Sequence, residues 1–500
     1  MENKYVVAVD LGTTKVVVAV GRKVEKNKVE IVAIKHSESK GVIKGDLRNN
    51  MEAFQALSKV KTEIEAELGV TIKDVYIGIS GQHIKCTKAT GYVFVHNSEM
   101  DVTEVSDDDV KRLENDMYNS ALPPGQSIIS VLPQTYKIDD EPDIIEPVGM
   151  EGKRLEAQFN LIVGDNGAID RIKRCFSRAG MEVKGITLQP LASSFAVLSE
   201  DEKELGVAVV DIGGGTTDVC IYHDKIIRHI GVLPIGGNEI NKDIKSHGIL
   251  DRHLEKLKTM FGEAVAELAP DQKYVTIPSI SGQAPKEISV RTLSGIIQAR
   301  MCDIVEFVAA EIKRSGYEGR LGAGVVITGG GAVLKNVERL FKKMLGCEVR
   351  IAQPTQHLTP ESVEKMNSPK FSTIAGLLID AAKKNQFSTI VGAELLGVVA
   401  EQPEEVVDPE AKRLAMMEAQ RQKYEANHTE TEDSVRPISG EEEPAPEPVD
   451  PPEVDDPIYP EEEEDDLKYA KPRKKGFFKR MGGVFGKMFE PDEVDAEDNY

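Results

Sequence analysis

Residues Val207–Tyr222 read VAVVDIGGGTTDVCIY. Apolar residues run up to Asp211, the glycine triplet Gly213–Gly215 follows, then Thr216, Thr217, Asp218 and a second apolar run. A strand, a glycine- and threonine-rich bend and a returning strand describe a tight hairpin. Glycines let a backbone approach a polyphosphate closely and aim amide N–H groups at it, which a Cβ would hinder. Asp211 ends the incoming strand, where a carboxylate can hold a hydrated Mg2+ beside those phosphates. A glycine hairpin with no ligand is the plainer alternative for this stretch on its own.

An echo earlier in the chain argues against that alternative. Val6–Val20 reads VVAVDLGTTKVVVAV: a strand ending in Asp10, then Gly12, Thr13, Thr14, Lys15 and a return strand. The second copy reads as carrying two more residues in its bend. Each copy continues into a third strand, Val29–Lys35 and Lys225–Val232. Two like subdomains, each with a phosphate loop and a carboxylate, would clamp one nucleotide between them.

Working outward, Asn50–Leu68 has helical spacing and leads to a short apolar strand, Val75–Ser80, which closes a β–β–β–α–β unit. His83–Leu161 is more polar. Ser106–Asp109 opens a helix there, Pro123-Pro124-Gly125 breaks the chain, and strands fall near Ile128–Val131 and Phe159–Val163. This is the pattern of an inserted α+β subdomain with no catalytic constellation, and His83 and His96 read as surface or satisfied core histidines. Helix, strand and helix follow at Ala168–Ala179, Val183–Leu188 and Leu191–Leu198. Gln189 sits where that strand ends. It can orient an attacking water at the end of a strand beside a nucleotide cleft, or simply cap the turn.

Beyond the central hairpin, a helix opens at Pro234–Asn238. His253–Met260 continues helically with Glu255 and Lys258 three apart, a spacing that surface ion pairing explains. Leu293–Arg314 is a long helix with an apolar stripe. Gly324–Ala332 reads GVVITGGGA, a strand running into three glycines, and Val333–Met344 is expected to follow as a helix whose N-terminus favours a phosphate or ribosyl edge. Phe371–Ala382 is a last helix of small residues.

Composition separates a body from a tail. The formal charge of −22 argues against general nucleic-acid affinity, yet 24 acidic and 5 basic residues fall within Glu401–Asp466 alone. That stretch also holds ten prolines and reads as an extended, disordered linker, although 409–426 can form a lone helix. Sixty-odd such residues span roughly 45 Å. Lys471–Phe489 then carries seven basic and no acidic residues. On a helix, Phe477, Phe478, Met481, Val484, Phe485, Met488 and Phe489 fall within roughly a 140° arc, with Lys475, Lys479, Arg480 and Lys487 opposite. This is the pattern of an in-plane membrane helix on anionic lipid; packing on the body or a partner is the alternative. No run approaches the length of a spanning helix, and MENKY leads directly into a strand, so neither a transmembrane segment nor a signal peptide is expected. Five scattered cysteines fit a reducing compartment and core positions.

The order of the Asp10–Lys15, Asp211–Asp218 and Thr328–Ala332 motifs resembles the phosphate-1, phosphate-2 and adenosine motifs of the actin, heat-shock chaperone and sugar-kinase ATPase superfamily. Leu191-Ala192-Ser193-Ser194 and Ser372-Thr373-Ile374-Ala375-Gly376 are further similar to the FtsA family of bacterial cell division. The resemblance implies an actin-like two-lobed α/β fold of duplicated β-β-β-α-β-α units. Its parts would be a first lobe over 1–82 completed by about 370–395, an inserted subdomain over 83–163, and a second lobe over 164–369. The linker at 396–470, amphipathic helix at 471–489 and acidic end at 490–500 would follow.

The resemblance also implies ATP and Mg2+ between the lobes. Asp10 and Asp211 would be near the metal, through water. Gly12, Thr13, Thr14, Lys15, Gly213, Gly214, Gly215, Thr216 and Thr217 would surround the phosphates. Glu255 and Lys258 would sit near ribose and base, with Gly329, Gly330, Gly331 and Ala332 at the adenosine, and Gly237 is a further cofactor-binding candidate. Gln189 is the candidate for hydrolysis, at most slow. The implied role is an oligomerising adaptor, peripheral on the inner membrane at the septum, that binds the FtsZ C-terminal peptide and recruits later division proteins. Arg291, Arg300 and Lys313 are the candidates for facing that peptide. A pilus-assembly platform and a small-molecule kinase of the same superfamily are the alternative readings.

Overall fold

A computed structural model of the chain describes residues 4–24, 28–95, 103–279, 284–392 and 468–469. Two five-stranded sheets share one construction. In the first, Tyr5–Leu11, Lys15–Lys23 and Val29–Glu38 form an antiparallel meander. Asp74–Ile79 then lies parallel to Tyr5–Leu11, with Glu182–Leu188 parallel beyond it. In the second, Val207–Ile212, Thr217–His223 and Ile226–Leu233 form the meander. Val325–Thr328 lies parallel to Val207–Ile212, with Val349–Ile351 outside. Both sheets therefore read third, second, first, fourth, fifth, as a duplicated unit requires.

The strands are buried on both faces: Val6–Val9 and Val207–Val210 are shielded throughout, as parallel sheets covered by crossover helices demand. The crossover Asn50–Leu68 starts where the Asn49 side chain accepts from the N–H groups of Met51 and Glu52, and stops at Gly69, whose φ of 66° is left-handed. It buries Ala53, Leu57, Val60 and Ile64 on the first sheet.

Three expectations change. Asp10 pairs with Val17 and Asp211 with Asp218, the same offset, so the two bends are equally long. The Thr-Thr pair lies two positions later after Asp211 than after Asp10, which makes the second bend read as longer. Residue 164 does not begin the second lobe either: Glu182–Leu188 pairs with Asp74–Ile79 in the first sheet, and the following helix Gln189–Val197 packs in a core that residues of both sheets share. Third, the glycines after Val325–Thr328 open a short 3-10 turn, Gly330–Val333, and the α-helix begins only at Val337. Asn336, at φ 62°, separates the two.

The inserted subdomain has a sheet ordered Glu141–Ile144, Gln126–Ile138, Arg154–Asp165, Lys85–Phe94, and a core of its own. The helix Asp107–Tyr118 starts with a capping box between Ser106 and Asp109. Lys85–Phe94 escaped the sequence reading because its residues are mostly exposed and only its end, at Gly91 and Val93, is buried. His83 is half-buried with neither ring nitrogen hydrogen-bonded, unlike the surface or satisfied residue expected. All five cysteines are free; only Cys175 and Cys220 are fully buried. His96, the linker apart from Lys468–Tyr469, the 409–426 helix, the amphipathic stretch with Phe477, Phe478, Met481, Phe485, Met488, Phe489, Lys475, Lys479 and Arg480, and the acidic end lie outside the described residues. Among the described residues no helix is long and apolar enough to cross a membrane.

Candidate nucleotide site

Each bend is closed by the same backbone hydrogen bond, Gly12 N–H to Lys15 C=O at 3.0 Å and Gly213 N–H to Thr216 C=O at 2.9 Å. The bends face each other across the lobes. A Cβ added at Gly214 would lie 2.2 Å from Thr14 Cγ2, and one at Gly215 would lie 2.4 Å from Thr13 Oγ1. Glycine here is what allows two backbones to approach from opposite lobes.

Behind the bends lies a cleft of about 370 Å³, within the range of small-molecule sites. Asp10, Gly12, Thr13, Thr14, Lys15, Gln189, Asp211, Gly213, Gly214, Gly215, Thr216, Gly329 and Gly330 all line it. An adjoining space of about 120 Å³ is lined by Gly237, Glu255, Lys258, Gly330 and Gly331. Glu255 and Lys258 pair at 2.7 Å, and Lys258 Nζ also donates to the Gly237 carbonyl at 3.2 Å. Ion pairing and cleft lining thus coexist.

Two expected residues turn away. Thr217 is fully buried and donates to the Ile235 carbonyl at 2.9 Å, and Ala332 is buried beneath the glycine turn. Two glycines there, Gly329 and Gly331, serve close packing, whereas Gly330 faces open space. Gly329 holds φ 84°, and a Cβ there would fall 2.2 Å from Asp211 Oδ1; one at Gly331 would meet Ile212 Cγ2 at 2.4 Å.

Three carboxylates converge with little charge to balance them. Gln189 Nε2 donates to Asp10 Oδ1 at 2.8 Å. Asp211 Oδ2 accepts from Ser193 Oγ at 2.5 Å and Thr373 Oγ1 at 3.1 Å, and Asp218 Oδ1 accepts from Ser80 Oγ at 2.7 Å. Burial pushes Asp10 up to about 6, with Lys15 opposing and Asp211 adding to the rise. Asp211 is also raised by burial, against the Ser193 hydroxyl, Lys15 and Thr373. Asp218 reaches about 8, from burial first and Asp211 second. Burial lowers Lys15, which Asp10 and Asp211 oppose. Carboxyl groups whose ionised forms are so poorly compensated in a dry cleft fit a cation arriving with an anionic ligand.

Ser80, Ser193, Asp218, Lys370 and Thr373 were not singled out from sequence as site residues, although all but Ser193 line the cleft and Ser193 holds Asp211. Asp218 closes the glycine motif, and Ser193 and Thr373 fall in the two short family-like motifs, so a signal existed. Lys370 carries none.

Arg291, Arg300 and Lys313 share the helix Val290–Ser315 but no single patch. Arg291 and Arg300 point about 180° apart, and Arg291 and Lys313 are about 33 Å apart along the axis. Arg300 holds Asp243 through Nε at 2.7 Å and a second nitrogen at 3.0 Å, and Arg291 pairs with Asp271.

A cell division protein FtsA of Pseudomonas aeruginosa is 34% identical over 382 residues, covering 76% of this chain and 90% of that protein. The chain belongs to the FtsA family. FtsA of Escherichia coli K12 is 32% identical over 75% of the chain, and FtsA of Bacillus subtilis 30% identical over 75%. The family model described as cell division protein FtsA matches residues 208–376, and the SHS2 domain inserted in FtsA matches residues 81–163, the subdomain seen here. Among solved structures, a chain of the PilM-PilN type IV pilus biogenesis complex aligns with a TM-score of 0.53 over 76% of this FtsA-family chain and 98% of its own, at 13% identity. That likeness is one of fold, the actin-like two-lobed α/β architecture.

Proposed function

We propose that this FtsA-family chain is an ATP- and Mg2+-binding adaptor of cell division that self-associates and links FtsZ filaments to the cytoplasmic face of the inner membrane. The observation that carries the nucleotide part is the meeting of the two Asp-tipped bends across one cleft. Asp10 and Asp211 would hold the metal, through water. Thr13, Thr14, Lys15, Gly214, Gly215 and Thr216 would bind phosphates, and Gly330, Gly331, Glu255 and Lys258 the nucleoside. The metal would supply charge neutralisation beside the phosphates. Lys15 adds a cation from the chain itself, and Gln189 fixes the Asp10 carboxylate. With Gln189 engaged there, hydrolysis is slow, and the nucleotide acts by stabilising closed lobes and so assembly.

The sequence pattern of Lys471–Phe489 supports attachment to anionic lipid, and family membership supports FtsZ and later division proteins as partners. The pilus-platform alternative has only a likeness of fold behind it, and a kinase has no use for the amphipathic stretch. The deciding experiment titrates a peptide from the FtsZ C-terminus into residues 1–400. Saturable binding is expected, and none at high protein concentration would defeat the FtsZ assignment. Sedimentation with anionic vesicles should retain the full chain and lose a form ending at Asp466.

A further inference from the structure

The strand Tyr274–Ile277 in the second lobe forms a hairpin with Lys286–Ser289. Its other edge is covered by a piece of the chain's far end. Lys468–Tyr469 runs antiparallel to it, with Tyr469 opposite Val275 and Lys468 opposite Thr276. Val275 and Ile277 are buried in the second-lobe core, so the receiving strand is firmly held. Without Lys468–Tyr469 its outer backbone N–H and C=O groups would form an open edge, since no other strand covers them among the described residues.

The docking point has a telling place in the sequence. Glu461–Asp466, six consecutive acids, precede it, and the cationic, apolar stretch Lys471–Phe489 begins just after Ala470. We propose that the segment around Lys468–Tyr469 is a releasable latch. By adding a strand to the edge of Tyr274–Ile277 it keeps the following amphipathic stretch at the second lobe, and it lets go when that stretch engages an anionic lipid surface. The lipid half rests on the membrane reading given above; the docking half does not.

The energetics suit a latch rather than a fixed strand. Two paired residues are too few to hold separate molecules together. The 75 residues between Gly392 and Lys468 bring the ends together at an effective concentration on the order of millimolar, enough to populate a weak contact. Latched, the amphipathic stretch has no free leash. Released, it gains one with a reach of about 45–50 Å, at about 5–6 Å × √n. Docking thus switches the distance at which the body can sit from a membrane. A latch populated about half to nine-tenths of the time would weaken apparent lipid affinity about two- to tenfold.

Cysteine trapping in the full chain tests this. Thr276→Cys with Lys468→Cys should cross-link within one molecule under mild oxidation, far faster than Thr276→Cys with Asp456→Cys. The oxidised pair should sediment poorly with phosphatidylcholine–phosphatidylglycerol vesicles and recover on reduction, and Tyr469→Pro should bind those vesicles about two- to tenfold more tightly than the unmodified chain. Equal cross-linking of the two pairs would overturn the docking, and equal sedimentation of oxidised and reduced protein would overturn the gating. If no form sediments, the membrane reading fails instead, and the cross-linking rates still decide the docking.

Discussion

Gln189 Nε2 lies 2.8 Å from Asp10 Oδ1, tying the start of the helix Gln189–Val197 to the tip of the first glycine bend. The contact is tight from behind as well, because a Cβ at Gly78 would lie 3.0 Å from Gln189 Cγ. The amide is thereby committed to holding a carboxylate. A hydrogen bond to a charged group contributes on the order of 1.5–3 kcal/mol. Gln189→Ala is therefore expected to weaken Mg-ATP binding about tenfold or more in calorimetry. A residue that only oriented water would lower turnover and leave affinity alone.

The buried carboxylates give the ligand-free protein a pH dependence of definite sign. Asp10 and Asp218 are raised from 3.8 to about 6 and about 8. Between pH 4 and 8 the folded state keeps protons that the unfolded chain has released, so stability falls as pH rises through that window. In EDTA without nucleotide, Tm is expected to drop from pH 5 to pH 8. Asp218→Asn should remove much of that slope, and Mg-ATP should flatten it. A wild-type Tm that rises over this range would contradict the assignment.

Much of this arrangement was legible in the sequence. Asp10 and Asp211 lie beside glycine bends that no ordinary strand turn needs, and the echo between them announced the duplication. What escaped was set by distance along the chain. Ser80 reaches Asp218 from a separate element with nothing local to mark it, and the short motifs that hold Ser193 and Thr373 do not say that their hydroxyls meet Asp211. The strand Glu182–Leu188 looked like part of the second half because the inserted subdomain separates it from its partner Asp74–Ile79. The helix after Gly331 was misplaced because Asn336 in a left-handed conformation is invisible to an apolar-periodicity argument.

Where the helices Gln189–Val197 and Ser372–Lys383 cross, the backbones nearly touch. A Cβ at Gly376 would fall 1.6 Å from the Ala192 carbonyl oxygen, which is backbone and cannot move aside cheaply. Gly376→Ala should therefore cost about 1–3 kcal/mol or more, as overpacking does. Chemical denaturation would read this as a lower midpoint. Because Ser193 and Thr373 ride on these two helices, ATP affinity should fall with it. An unchanged midpoint would mean the crossing is looser than its geometry.

Asp211 is the point where both lobes and that crossing meet. Its Oδ2 accepts from Ser193 on one helix and Thr373 on the other, and its own strand belongs to the second sheet. Asp211→Ala removes the carboxylate expected beside the metal and takes from the buried Ser193 hydroxyl and the half-buried Thr373 hydroxyl their shared acceptor. ATP binding in the presence of Mg2+ should be lost by calorimetry. Ser193→Ala and Thr373→Ala each remove one neutral donor to a charged group, so each should retain binding weakened roughly tenfold. The same loss from all three substitutions would make Asp211 a structural strut of the crossing, whereas the graded series marks it as the group that meets the ligand.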